Sequence, residues 1–202
     1  VPGDAERLVA PMVEGAADEI ERAEGGQGLQ LVVRAGLVRR ALEVGSPTVP
    51  ADDIDAVARY AGDEGYRRYL SPTHPGPAEF VAHNVGVDWS VQRSWVITLE
   101  DEIVGSAFLG INSEDDAAEL TCLVGPRWWR MEIGVEACRA AVEHAFVELG
   151  LAKVVARADP RNASAIGLVE KLGMQGDGST STDEVLYALR RDDWWCARCG
   201  AR

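Results

Sequence analysis

Two glycines do most to limit what this chain can become. Gly150 and Gly173 each stand just past a segment whose apolar residues recur at helical spacing, where a glycine closes a helix by taking a left-handed backbone. In the first segment, from about Gly134 to Leu149, Cys138, Val142, Ala145 and Leu149 form one stripe, with Ala137, Ala141 and Phe146 beside it. In the second, Asn162 is placed to cap a helix that runs through Leu172. Between them Lys153–Ala158, carrying Val154 and Val155, reads as a short buried strand. Upstream the period changes to two. Ser94–Glu100, Ile103–Asn112 and Ala118–Val124 read as strands joined at Asp101-Glu102 and at the acidic turn Ser113–Asp116, which makes an antiparallel meander. Gly176–Thr182 reads as a flexible loop, and Glu184–Leu189 as a last strand followed by a polar tail. Meander, then strand–loop–helix–strand–helix–strand, predicts an α+β or mixed α/β fold.

The first quarter is less decided. Residues 1–24 carry Leu8, Val9, Met12, Val13, Ala16 and Ile20 at helical spacing, and Gly25-Gly26-Gln27-Gly28 ends that helix as a joint. The expected division is therefore a helical extension over 1–28, one domain over 29–194 and a tail over 195–202. Leu29–Arg34 has strand character, and periodicity leaves Leu37–Val44 open between strand and short helix. Helices are expected from Asp52 or Asp53 to about Ala61 and over Ala78–Val85, with the proline-rich 70–77 between them irregular.

Charge narrows the choice of partners. The net charge is −13, which disfavours nucleic acid and anionic membranes. The segment Leu120–Leu172 is the exception, with seven cations against six anions, so an anionic ligand meets least repulsion there. No apolar run is long enough to cross a bilayer, and the first residues show no basic stretch followed by a hydrophobic one, so a soluble, cytoplasmic protein is expected. The four cysteines do not suggest a disulfide scaffold: Cys122 and Cys138 fall at inward positions. Cys196-Ala197-Arg198-Cys199 is half of a zinc site without a second pair, so no metal is expected.

The chemistry concentrates between Cys122 and Met174. A strand runs into the loop Gly125–Glu132 and then a helix start, whose unpaired backbone N–H groups suit a pyrophosphate. The run Asp159 to Met174, DPRNASAIGLVEKLGM, resembles the second signature of the GNAT acetyltransferases, especially their ribosomal-protein alanine N-acetyltransferase (Rim-type) branch. The segment WWRMEIGVEACRAAVEHAFVELGL is similar to the long helix of that branch, and the likeness spans about residues 30–194. The resemblance implies a mostly antiparallel sheet that splays between two parallel strands and is flanked by helices. It also implies acetyl-CoA as donor and a primary amine, on a small molecule or a peptide, as acceptor. Carried over residue by residue, the donor contacts fall on Leu123, Val124, Arg127, Arg130, Ile133, Gly134, Asn162, Ala165 and Lys171. Glu119 is the candidate base and Ser164 a candidate contact at the thiol end. His74 and Trp95 are placed towards the acceptor, and a homodimer is an open expectation.

The sequence departs from the family's pattern in the loop. Arg127 is present, but Arg130 and Glu132 stand where the pattern has small residues that permit positive φ and close phosphate approach. Arg130 could contact phosphate itself, whereas Glu132 would repel it. Val169 stands where many members carry a tyrosine acid. Each candidate also has an ordinary structural use: Asn162 as a helix cap, Ser164 as a first-turn residue, Glu119 as a solvent-facing strand residue, and His144 as a structural or exposed helix residue. Trp128 and Trp129 cover the cleft, form a partner surface or, as is commoner, pack. Two readings therefore stand, an amine acetyltransferase and a non-catalytic module of the same fold.

Overall fold

The computed structural model describes residues 40–43, 63–64, 68–69, 91–99, 102–179 and 184–199. The expected N-terminal helix, the helices over 52–61 and 78–85, and His74 lie outside the described residues. Among the described residues seven strands form one sheet in the order β1-β2-β3-β4-β5-β7-β6. They are β1 (Arg40–Glu43), β2 (Gln92–Leu99), β3 (Glu102–Asn112), β4 (Ala117–Val124), β5 (Lys153–Ala158), β6 (Gln175–Ser179) and β7 (Val185–Arg190). All neighbours pair antiparallel except β4 with β5, which run parallel.

One interior strand shows why this sheet holds. β3 is buried continuously from Ile103 to Leu109, as expected of a strand covered on both faces rather than one. Its pairing with β2 shifts register between Ile97 and Thr98, so both of those neighbours are buried. Gly105 allows β4 to close in, because a Cβ there would lie 2.3 Å from the Leu123 carbonyl oxygen. The turn into β4 is built by Asn112, whose Oδ1 accepts the amide protons of Glu114 (3.1 Å) and Asp115 (3.3 Å).

Helix α1 (Ile133–Glu143) covers one face of the sheet. Its Ile133, Ala137, Cys138, Ala141 and Val142 join Val104, Leu109, Leu120 and Val154 in the core. At His144–Glu148 the helix widens into a π turn, the Leu149 N–H donating to His144 O at 3.1 Å. Gly150, at φ 68°, closes it. Helix α2 (Ala163–Lys171) buries Val169 and is closed by Gly173 at φ 82°. Two expectations change here. Gln175–Ser179 is the edge strand β6, with a register shift at Gly176/Gly178 and Gly178 at φ 120°; its glycines supply a bulge rather than a loop. The tail is helical too: α3 (Arg191–Cys199) packs Trp194 against Phe146 with ring centroids 5.4 Å apart. The boundary expected after Trp194 falls within this helix.

Candidate functional site

The sheet parts at its one parallel pair. β4 and β5 are in register only at Ala117/Lys153, Ala118/Val154 and Glu119/Val155. Beyond that point β4 stays paired with β3 as far as Val124, and β5 stays paired with β7 as far as Ala158. A gap therefore opens between Leu120–Val124 and Ala156–Ala158. The Gly125 N–H donates to Val104 O at 2.8 Å, which makes Val124 and Gly105 a non-hydrogen-bonded pair. By alternation, the N–H and C=O of Leu120, Cys122 and Val124 project away from β3, into the gap. Buried backbone groups need partners, and β5 supplies none to this ladder.

The loop after β4 leads into α1. Pro126–Trp128 form a 3-10 turn. The Trp129 indole N–H turns back and donates to Val124 O at 2.7 Å, so a side chain already holds one acceptor of the ladder. Arg130 and Glu132 both have left-handed backbones, at φ 65° and 60°. The loop thus keeps the conformation of the small residues it lacks, at a steric cost of about 1–2 kcal/mol per residue. Glu132 precedes α1 without capping it through its side chain. Its carboxylate instead meets Lys171 Nζ at 2.5 Å, tying the loop to the end of α2. The first amide to bond back within α1 is that of Glu136, to Glu132 O at 3.0 Å. The N–H groups of Ile133, Gly134 and Val135 thus point out of the helix start. Gly134 sits tight: a Cβ would lie 3.2 Å from Leu168 Cδ1 and 3.5 Å from Val124 Cγ2.

On the opposite wall, Asn162 Oδ1 accepts the Ala165 amide at 3.1 Å and caps α2. Just before it, Arg161 Nε donates to Asp159 Oδ1 at 2.9 Å. That guanidinium holds the Asp159 carboxyl at a pKa of about 2. Ser164 is exposed in the first turn of α2, and Ala165 is half-buried. Glu119 occupies the last paired position before the gap, and its carboxylate faces Arg157 at 3.3 Å.

Four expected site residues point elsewhere. Trp95 is 1% exposed and lies two strands from the gap, its ring edge-on to His144 at 5.3 Å. Packing has claimed it, which corrects its placement at an acceptor. The side chains of Ile133 and Leu123 are likewise buried, so only their backbone can serve a ligand. Arg127 turns to Glu102 at 3.7 Å and lies over the Trp128 ring at 5.4 Å. His144 is buried, and burial, followed by the nearby Arg93 charge, lowers its pKa to about 4; it is neutral at pH 7. Sequence reasoning missed the Trp129–Val124 bond and the Glu132–Lys171 pair. A tryptophan and an acid at the positions flanking a glycine-type turn were the only signal, and neither names its partner.

A profile of the acetyltransferase (GNAT) domain family matches residues 47–175, more than half of the chain. The chain belongs to the GNAT acetyltransferase family. This GNAT protein is similar to the uncharacterized N-acetyltransferase YnaD of Bacillus subtilis (strain 168), with 23% identity over 154 residues, 70% of this chain and 90% of that one. Among solved structures it resembles Mycobacterium smegmatis RimJ in complex with CoA-disulfide, with TM-score 0.64 and 16% identity over 86% of this chain and 94% of that one. It also resembles the spermidine N-acetyltransferase of Vibrio cholerae in complex with CoA and spermine, with TM-score 0.61 and 15% identity over 73% and 95% of the two chains. The mixed, mostly antiparallel sheet is the fold of these neighbours. Among the described residues no helix is long and apolar enough to cross a membrane, and no group of three or more His, Cys, Asp or Glu is placed to hold a metal.

Proposed function

We propose that this GNAT protein transfers an acetyl group from acetyl-CoA to a primary amine, on a small molecule or a peptide. The observation that carries the reading is the gap, where β4 offers backbone groups on a free edge between two helix starts. The residues fit such a donor. The β4 ladder suits its amide arm, and the α1 N-terminus suits its pyrophosphate. Lys171 becomes a phosphate partner when Glu132 releases it, and Arg130, on the loop, is a second cation. When bound, the donor supplies an activated thioester carbonyl. The chain holds the two reactants together, which alone can contribute several kcal/mol of the barrier. Glu119, at the vertex of the gap, is the proposed acceptor of the amine proton through a water, and Ser164 is proposed at the thiol end. The net charge of −13 favours a cationic acceptor. A Rim-type, protein-terminal acceptor remains part of the proposal, supported by the DPRNASAIGLVEKLGM run and the likeness to RimJ.

A second reading is favoured by the Trp129–Val124 bond and the Glu132–Lys171 pair, which occupy one β4 acceptor and one cation that a donor would use. In it the protein is a binding module that keeps the scaffold and has lost the donor. Calorimetry with acetyl-CoA separates the two. Micromolar binding by the unmodified chain, tightened by Glu132→Gly, is expected for the enzyme, and amines are then screened as acceptors. Binding that appears only in Glu132→Gly supports the module. No binding in either chain removes the acyltransferase reading.

A further inference from the structure

Two side chains of the loop between β4 and α1 each hold a group that belongs to the proposed donor site. The first is Trp129, whose indole N–H donates to Val124 O at 2.7 Å. That oxygen points away from β3, so the indole reaches it from the side where β5 has parted from β4. Trp128 beside it packs on the core, whereas Trp129 is 44% exposed. A tryptophan left so far in water adds little by burial, and the bond to Val124 is what places its ring. The second is Glu132, whose carboxylate lies 2.5 Å from Lys171 Nζ. Both partners are more than half exposed, so solvent screens the pair and weakens it. Glu132 makes this contact from a left-handed backbone at φ 60°, and its side chain does not cap α1.

We propose that Trp129 and Glu132 are a displaceable latch: they stand in for the acyl donor on Val124 O and Lys171, and donor binding is an exchange that releases them. The inference rests on the donor reading above and adds regulation to that site. The match is one of chemical kind. An indole N–H and an amide N–H of the donor's arm are both single neutral donors to a backbone oxygen. A carboxylate and a phosphate both present anionic oxygens to one ammonium. Each contact of the latch is also weaker than its replacement. The indole makes one bond to β4, whereas an extended arm can make several along Leu120–Val124. The carboxylate carries a single charge and the pyrophosphate more. Loop and donor compete for the same atoms, so the apparent affinity falls with the fraction of chains in which the latch is closed. The two halves are separable. Trp129→Phe keeps an aromatic ring and removes the N–H, and Glu132→Gln keeps the size and removes the charge.

The test is calorimetry of acetyl-CoA on the full chain and its variants, with urea midpoints confirming that each variant folds. The unmodified chain is expected to bind. Trp129→Phe should bind roughly two- to tenfold more tightly, the range of one net hydrogen bond. Trp129→Leu, which also lacks the N–H, is a second variant expected to shift the same way. Glu132→Gln should tighten binding by roughly two- to fivefold, the range of an exposed ion pair. In a Lys171→Met chain the same Glu132→Gln exchange should have no effect, because the residue it frees is gone. Three results overturn the proposal. Unchanged or weaker binding by both Trp129 variants means that the indole does not compete with the donor. A Glu132→Gln gain that persists in full beside Lys171→Met means that Glu132 only repels phosphate. Binding by the variants and not by the unmodified chain means a permanent closure rather than an exchange. Equal binding by all chains removes the latch and leaves the donor reading standing, whereas no binding by any chain removes both.

Discussion

The two helix starts that flank the gap solve the same problem in opposite ways. Each must deal with amide protons that lack an acceptor within the helix. At α2 the sequence supplies one: Asn162 accepts the Ala165 amide, and the Asp159–Arg161 pair stiffens the approach. At α1 no side chain caps the helix. A left-handed glutamate precedes it and sends its carboxylate to Lys171 instead. A closed start contributes stability, while an open one is kept at some cost. The difference leaves α1 as the start whose amide protons lack a side-chain cap, and α2 as a closed wall.

The largest effect expected from disturbing this contrast is at Gly134. Gly134→Val would press a branched side chain on Leu168 and Val124, costing about 1–3 kcal/mol of stability by urea denaturation. A loss below about 0.5 kcal/mol, the scale of a neutral surface change, would show that α1 does not seat on β4 as closely as described. Next come exchanges at the two caps. Asn162→Ala should lose about 1 kcal/mol without improving acetyl-CoA binding. Glu132→Gly should leave stability within about 1 kcal/mol. It relieves a left-handed side chain, but gives the unfolded chain more freedom and removes an exposed ion pair of small value. If Glu132→Gly costs more stability than Asn162→Ala, the two helix starts are not different in kind.

The sequence carried the fold further than the site. Period-two alternation and the glycines at 150 and 173 placed the meander, both covering helices and β5, because burial and left-handed closure leave local marks. β6 escaped because its glycines belong to a bulged edge strand paired with β7, a partner some ten residues away. α3 escaped because its start follows β7 directly and its Trp194 is held by Phe146, 48 positions earlier. Trp95 was misplaced for the same reason: alternation shows that a side chain points inward, not that His144 waits there. At the loop, the residue types suggested a break from the family's glycines. Only the backbone shows that Arg130 and Glu132 still adopt the glycine-type conformation. Ion pairs such as Glu132–Lys171 join residues 39 positions apart, and nothing in either neighbourhood specifies the pairing.

The smallest expected effect tests the wall at α2 through acid. The Asp159 carboxyl titrates at about 2 rather than 3.8, because Arg161 bonds it through side chain and backbone. A carboxyl depressed on folding stabilises the native state where it is ionised in both states, that is above pH 3.8. The contribution fades as pH falls from there through about 2, where the folded carboxyl also takes up its proton. Arg161 is 79% exposed, so solvent screens the pair and the change in unfolding midpoint should be small. Acid unfolding of the whole chain involves many carboxylates, so the measurement is a difference between the unmodified protein and Asp159→Asn. The two curves should lie a constant distance apart above about pH 4 and converge towards about pH 2. Curves that stay parallel over that whole range would mean that the Asp159–Arg161 pair does not brace α2. The contrast between a braced and an open helix start would then rest on Asn162 alone.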